Sequence, residues 1–253
     1  MYLPYDIFNH FIDITLNNDF NTLINLCYVD KEIEKMCLLR PFTKVLLQFK
    51  FNEFYNPTIK SEILTEFLND ISGNDVEFLK EIQLVFGSCL TGKNLMNKAI
   101  LLQGNCNGKS TFLILLRKIL GSLYQAVRPG VSDLQTLKYT SVVSLSETDI
   151  SNAVPLVKRL LGKDEIYTKY GNIKVNPNII FHQNDDYGYE DLGRIKKIKF
   201  RTRYVEFVNF HNQKLMCRFY TDKIYNNRDA SSALLTFLLI GCRDVLNNPT
   251  LLS

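Results

Sequence analysis

Residues 99–120 read AILLQGNCNGKSTFLILLRKIL, and the order of features in this stretch decides the fold. Residues 99–102 form an unbroken apolar run, the form taken by a strand buried on both faces of a parallel sheet. Residues 111–120 carry apolar positions at helical spacing. Between them lies the polar run Gly104, Asn105, Cys106, Asn107, Gly108, Lys109, Ser110 and Thr111. Strand, glycine-rich loop and helix in this order are the context of a phosphate-binding loop. The glycines let backbone N–H groups turn inward around phosphate oxygens, and the helix N-terminus adds positive potential. Lys109 then reaches the β/γ-phosphates and Ser110 holds a metal, so ATP and Mg²⁺ are the expected ligands. The usual motif places its first glycine five positions before Gly108, where this chain has Gln103; Gly104 comes one residue late. A polar strand-to-helix turn that merely contains Gly-Lys-Ser-Thr is the competing reading.

Two further apolar runs, 142–145 and 178–181, follow at intervals filled by helical or loop segments, which predicts a parallel α/β sheet. In such a sheet ligands sit beyond the carboxyl ends of the strands. The run 142–145 ends at Ser146 and Glu147, the run 178–181 ends at His182, Gln183 and Asn184, and a third element carries Arg194. A carboxylate to organise metal and water, an amide to orient the attacking water and an arginine to meet developing charge are the parts phosphoryl transfer needs. Taken alone, Glu147 fits an ordinary helix cap or surface acid equally well.

The runs GNCNGKSTF (104–112), SLSETD (144–149), LVKRLLGKD (156–164), IIFHQND (179–185) and GRIKKIKF (193–200) together resemble the ordered motifs of superfamily 3 helicases, most of all the primase-helicases of poxviruses and giant DNA viruses. Residues 67–92, with Gly87 and Gly92, are similar to the helical segment preceding the motor in that branch. The resemblance implies an AAA+-like P-loop core that assembles as a hexameric ring and pulls single-stranded DNA through its centre. It casts Lys109 and Ser110 in the first motif, Glu147 as the acid of the second and a metal ligand, Asn184 as the sensor amide and Arg194 as an arginine supplied to a neighbouring subunit. It also brings the expectation of viral replication in a host cytoplasm, with a primase as partner. Where that family often has paired arginines, Gly193 occupies the second place.

Residues 165–175 alternate and contain Gly171-Asn172, which predicts a β-hairpin turning at that pair. In the resembled family the corresponding hairpin faces the channel. Lys163, Lys169 and Lys174 are candidates to neutralise DNA phosphates and Tyr170 to stack on a base; a surface hairpin with ordinary exposed lysines is the alternative. A second basic stripe, Arg194, Lys196, Lys197, Lys199, Arg201 and Arg203, has Ile198, Phe200 and Tyr204 on its other face and reads as the wet side of an amphipathic strand.

The chain's 253 residues are 46% hydrophobic and 22% charged, which excludes disorder and fibrous repeats. No apolar run reaches the ~18 residues of a membrane span, and the first residues lack a secretory pattern, so an intracellular protein is expected. Six cysteines (Cys27, Cys37, Cys89, Cys106, Cys217 and Cys242) show no CxxC spacing, against a zinc site or disulfide framework. A net charge of +4 and pI near 8.6 are too mild to indicate a partner. Helical spacing at residues 6–16, 20–39 and 60–69 predicts a small all-α region at 1–55 and a helical segment at 56–97, ahead of a P-loop ATPase domain at 98–253. Breaks are expected at Asn56-Pro57 and Gly73-Asn74. Residues 1–50, with Leu3, Pro4, Phe11 and Leu23, look like the start of an F-box, a module that docks on a ubiquitin-ligase adaptor. An amphipathic helical pair packing on the motor accounts for the same spacing.

Overall fold

The computed structural model describes residues 58–127, 134–145, 150–168, 171–184, 193–215 and 220–252. The expectations for residues 1–55, the F-box resemblance among them, and those for Glu147, Lys169 and Tyr170 lie outside the described residues. In chain order the elements are α1 (Glu62–Ser72), α2 (Val76–Ser88), β1 (Ala99–Gln103), α3 (Lys109–Leu120), β2 (Tyr124–Val127), β3 (Val142–Leu145), α4 (Ile150–Gly162), β4 (Glu165–Thr168), β5 (Gly171–Lys174), β6 (Asn178–Gln183), β7 (Ile195–Lys199), β8 (Arg203–Val205), β9 (Gln213–Leu215), α5 (Tyr220–Asn226) and α6 (Arg228–Asn247), with short 3₁₀ turns between some of them.

Five strands form a parallel sheet in the order β2-β3-β6-β1-β7. All residues of β1 and β3 are buried, which is why their sequences are continuous apolar runs with no polar alternation. Side chains still alternate between faces. Ile100, Leu102, Val142, Ile180 and Ile198 pack into one cluster with α1, α2, α3 and α6. Ala99, Leu101, Val143, Leu145, Ile179 and Phe181 enter a second with α4 and the β4/β5 hairpin. The result is a three-layer α/β fold with helices on both faces of the sheet.

The helices of the first layer begin and end on local signals. Ser61 and Asp75 accept hydrogen bonds from the Leu64 and Phe78 N–H groups and cap α1 and α2. Gly73, at φ 64°, closes α1 in the left-handed region. Helix α2 then lies directly against α6. A Cβ on Gly87 would come within 2.6 Å of the Cys242 nitrogen, and one on Gly241 within 2.6 Å of the Gln83 carbonyl carbon. Two glycines thus let two backbones approach closely, and residues 62–88 share one core with the sheet.

Three expectations need adjusting. Helix α3 starts at Lys109, two residues before the predicted 111, because Gly108 is itself the cap. The hairpin pairs Thr168 with Gly171 and Tyr167 with Asn172, so Gly171-Asn172 belongs to its second strand and is not the turn. In β7, Ile198 is buried and Lys197 and Lys199 are exposed as the amphipathic pattern requires, whereas Tyr204 lies in β8 and is only half-buried. Among the described residues no helix is long and apolar enough to cross a membrane.

Candidate nucleotide site

The loop after β1 gains its shape from three residues at positive φ: Gly104 at 108°, Cys106 at 51° and Gly108 at 90°. Gln103, where a glycine is usual, remains in the strand, paired to Gln183 on one side and Lys199 on the other. Gly104 makes the bend instead, and it must be glycine. A Cβ there would lie 2.5 Å from Asn107 Nδ2, which donates to the Gln103 carbonyl at 2.7 Å. The late glycine is therefore a shift of the bend by one residue, and the loop closes around the Asn107 side chain. No side chain caps α3, so its N-terminus, which carries partial positive charge, opens directly from the loop.

Lys109 is 6% exposed. Its ammonium donates to the Gly104 carbonyl and, at 3.1 Å, to Asn184 Oδ1. The sheet order explains the second contact: β6 runs parallel beside β1, with Gln103 opposite Gln183, so the residue after β6 arrives beside the loop that follows β1. Ser110 is exposed in the first turn of α3. The Thr111 and Thr221 hydroxyls are 2.8 Å apart and tie α3 to α5. Asn107 Oδ1 is buried and has no hydrogen-bond partner among the described residues.

These groups floor a cavity of about 520 Å³, a size typical of small-ligand sites. Its outer wall comes from elements that no motif in the chain places here: Glu66 and Asp70 of α1, Tyr204 of β8, Lys214 and Leu215 of β9, and Tyr220 of α5. The Tyr204 N–H donates to the Cys106 carbonyl at 2.6 Å, so β8 sits directly on the loop. Tyr204 Oη donates to Asp70 Oδ2 at 3.2 Å, and Lys214 Nζ lies 2.5 Å from Asp70 Oδ1 and 3.7 Å from Glu66. Burial, and then the Asp70 carboxylate, hold the Tyr204 phenol protonated well above the usual tyrosine range. The hydrogen bond to Asp70 raises the pKa of Lys214, outweighing partial burial. The wall thus sets one ion pair, Lys214 with Asp70, beside a neutral phenol.

Arg194 is not part of this cavity. Its carbonyl accepts from the Ala99 N–H, and Ala99 pairs with Ile195. Arg194 therefore precedes β7 at the amino end of the sheet, a strand length of about 13–16 Å from the loop, and its side chain is exposed. The expectation that its element, like the others, delivers a group at a carboxyl end is overturned by the parallel direction of β7. In the same stripe, Lys196 pairs with Glu81 at 2.6 Å, and Arg201 reaches Asp75 at 3.5 Å and covers the Phe78 ring at 4.7 Å. Those two side chains fasten the sheet edge to α2 and its cap.

At the hairpin, Ile166 and Ile173 are buried beneath and Lys174, opposite Glu165, is exposed. Lys163 ends α4 at φ 59°, exposed to solvent. Tyr167 is 73% exposed, with the Arg159 guanidinium 5.8 Å from its ring centre. Its outward position follows from strand alternation with Ile166, a signal the sequence contained. Of the loop, the sheet ends and the hairpin, the structure brings together residues 104–111 with Asn184. Strand β3 ends at Leu145, opposite Phe181, on the edge where β1 and β6 also end; Glu147 follows outside the described residues.

No protein-family model matches the chain, and neither does any curated protein. Among solved structures, the apo C-terminal region of NrS-1 is similar over 75% of this chain, at a TM-score of 0.54 and 17% identity. A second apo structure of that region, residues 305–718, gives the same TM-score at 16% identity. The chain spans about half the length of the NrS-1 region, 50% of it in both structures. The likeness is one of fold. JCV helicase is similar over 88% of this chain and 65% of its own, at 15% identity and a TM-score of 0.49, too slight to build on.

Proposed function

We propose that this chain is the ATP-hydrolysing motor of a superfamily 3 type DNA helicase, its P-loop domain at 98–253 extended by the helical segment 56–97. One observation carries the reading: Lys109 is held at the floor of a ligand-sized cavity between its own loop and Asn184, a residue from the adjacent strand end. That pairing joins a cation suited to the β/γ-phosphates with an amide suited to orienting water, which a mere polar turn has no reason to assemble.

Residues 104–111 cradle the triphosphate through backbone N–H groups and the open N-terminus of α3. Ser110, exposed at the cavity, and Glu147 supply one hydroxyl and one carboxylate, a donor set that fits Mg²⁺, which keeps waters and takes phosphate oxygens. When bound, that ion neutralises charge on the phosphates. Lys109 binds the transferring phosphoryl group and Asn184 holds the attacking water. Arg194, distant from its own loop, serves the site of an adjacent subunit in a ring, and the cavity that binds nucleotide then lies between copies. Lys163, Lys169, Tyr170 and Lys174 contact single-stranded DNA at the hairpin. Replication of a viral genome in a host cytoplasm, alongside a primase, is the setting that suits such a motor.

ATP hydrolysis by the purified chain, with and without single-stranded DNA, tests this. The reading expects a basal rate raised by DNA. It also expects Lys163→Ala with Lys174→Ala to flatten the salt dependence of DNA binding by roughly 0.7 in logarithmic slope per lost phosphate contact. No hydrolysis under either condition would return the loop to a structural turn.

A further inference from the structure

The cavity beside the phosphate loop is polarised. One side presents Lys109 and the uncapped start of α3. The other presents two carboxylates one helical turn apart, Glu66 and Asp70, with a single ammonium, Lys214, between them. An anion is attracted to the first side and repelled by the second. What the second side can take is the neutral end of the same molecule, provided it carries hydrogen-bond donors.

Asp70 is the group built for this. Its side chain is 8% exposed, yet the residue lines the cavity. A carboxylate offers about four acceptor positions. Among the described residues Tyr204 and Lys214 fill two, one on each oxygen, which fixes the carboxylate in place and leaves a second position on each oxygen with no partner in that set. Two acceptors side by side match two hydroxyls on neighbouring carbons. Around them lie surfaces for a flat ring: Tyr204 and Tyr220, 6.3 Å apart and tilted by 33°, with Leu215 at the same wall. The Tyr204 main chain rests on the Cys106 carbonyl, so this wall adjoins the loop.

We infer that the wall of Asp70, Tyr204, Lys214 and Tyr220 is the nucleoside subsite of the cavity, with the Asp70 carboxylate accepting from the ribose hydroxyls and the tyrosine rings bordering the base. The inference rests on the phosphate-loop reading above and adds a sugar specificity to it. Lys214 is the positioning residue: it and Tyr204 hold the carboxylate in its acceptor geometry.

The test is equilibrium binding by the intact chain of ATP, 2′-deoxy-ATP, 3′-deoxy-ATP, inosine triphosphate and inorganic tripolyphosphate. A hydrogen bond to a charged group corresponds to about tenfold or more in affinity, so each deoxy analogue should bind about tenfold more weakly than ATP, and inosine triphosphate nearly as well as ATP. Asp70→Asn, checked by circular dichroism for an unchanged fold, should erase the preference for ATP over its deoxy forms and leave tripolyphosphate binding as it was. Equal binding of ATP and both deoxy analogues by the unaltered protein overturns the sugar assignment, without recourse to a variant that might not fold. A preference against inosine triphosphate alone overturns it too, moving the recognised donor to the base. If neither ATP nor tripolyphosphate binds, the phosphate-loop reading fails and takes this one with it; if tripolyphosphate binds as tightly as ATP, only the nucleoside subsite falls.

Discussion

Lys109 and Asn184 lie 75 residues apart in the chain, and their side chains meet at 3.1 Å because the strand that follows the hairpin inserts between β3 and β1. The contact puts the Asn184 amide beside the ammonium proposed to bind phosphate. Asn184→Ala should leave ATP binding within a few-fold of the parent and lower the hydrolysis rate by about a hundredfold or more, the scale on which a group acting in the transition state contributes. Parallel measurement of affinity and turnover checks this; an unchanged rate would make the contact a structural hydrogen bond.

The position of Arg194 at the amino end of the sheet leads to a different expectation. Arg194→Ala should bind ATP normally and hydrolyse it about 10³–10⁵-fold more slowly, as expected for an arginine that meets transition-state charge in a neighbour. Mixing it with Lys109→Ala subunits should restore part of the activity, since some interfaces then join an intact loop to an intact arginine. Co-assembled mixtures as inactive as either variant alone would assign Arg194 to the structure of the sheet edge.

Cys106 offers a probe of the loop without any substitution. It is exposed at the cavity, whereas Cys89 and Cys242 are buried and burial pushes their thiols up, that of Cys242 to about 12. Thiolates are the reactive form, so iodoacetamide should modify Cys106 and spare those two. Saturating ATP should slow the modification of Cys106, read by peptide mass spectrometry. The same rate with and without ATP would place the nucleotide elsewhere.

The close approach of α2 and α6 predicts where the fold is least tolerant. At Gly241 an added methyl would overlap the Gln83 carbonyl group, which is main chain and has no rotamer to change. Gly241→Ala should cost about 1–3 kcal/mol by overpacking and lower the thermal midpoint by several degrees, about 2–4 °C per kcal/mol for a chain of this size. A midpoint equal to the parent's would mean that the helices can separate at no cost.

Much of this architecture was legible where one local rule governs. Strand β3 matches its predicted bounds because a strand buried on both faces is apolar throughout. The loop was legible because strand, glycines and lysine are contiguous. The hairpin turn was misplaced because Gly171-Asn172 carries a strong turn signal, while the pairing of Thr168 with Gly171 sets the register. The outer wall was not legible at all. Asp70 and Tyr204 are 134 residues apart and belong to no motif; what joins them is the packing of α1 against the segment after β7. The end of the sheet at which Arg194 falls likewise depended on the direction of β7, which no residue type specifies.

Binding of ATP phosphates by residues 104–111 is read by calorimetric titration of ATP into the parent chain and into Lys109→Ala. An ammonium bonded to phosphate oxygens contributes about 1.5–3 kcal/mol, so the variant should bind about 10-fold to 150-fold more weakly with an unchanged circular dichroism spectrum. Equal affinity in two folded proteins would mean that Lys109 does not bind the phosphates and that the nucleotide lies elsewhere.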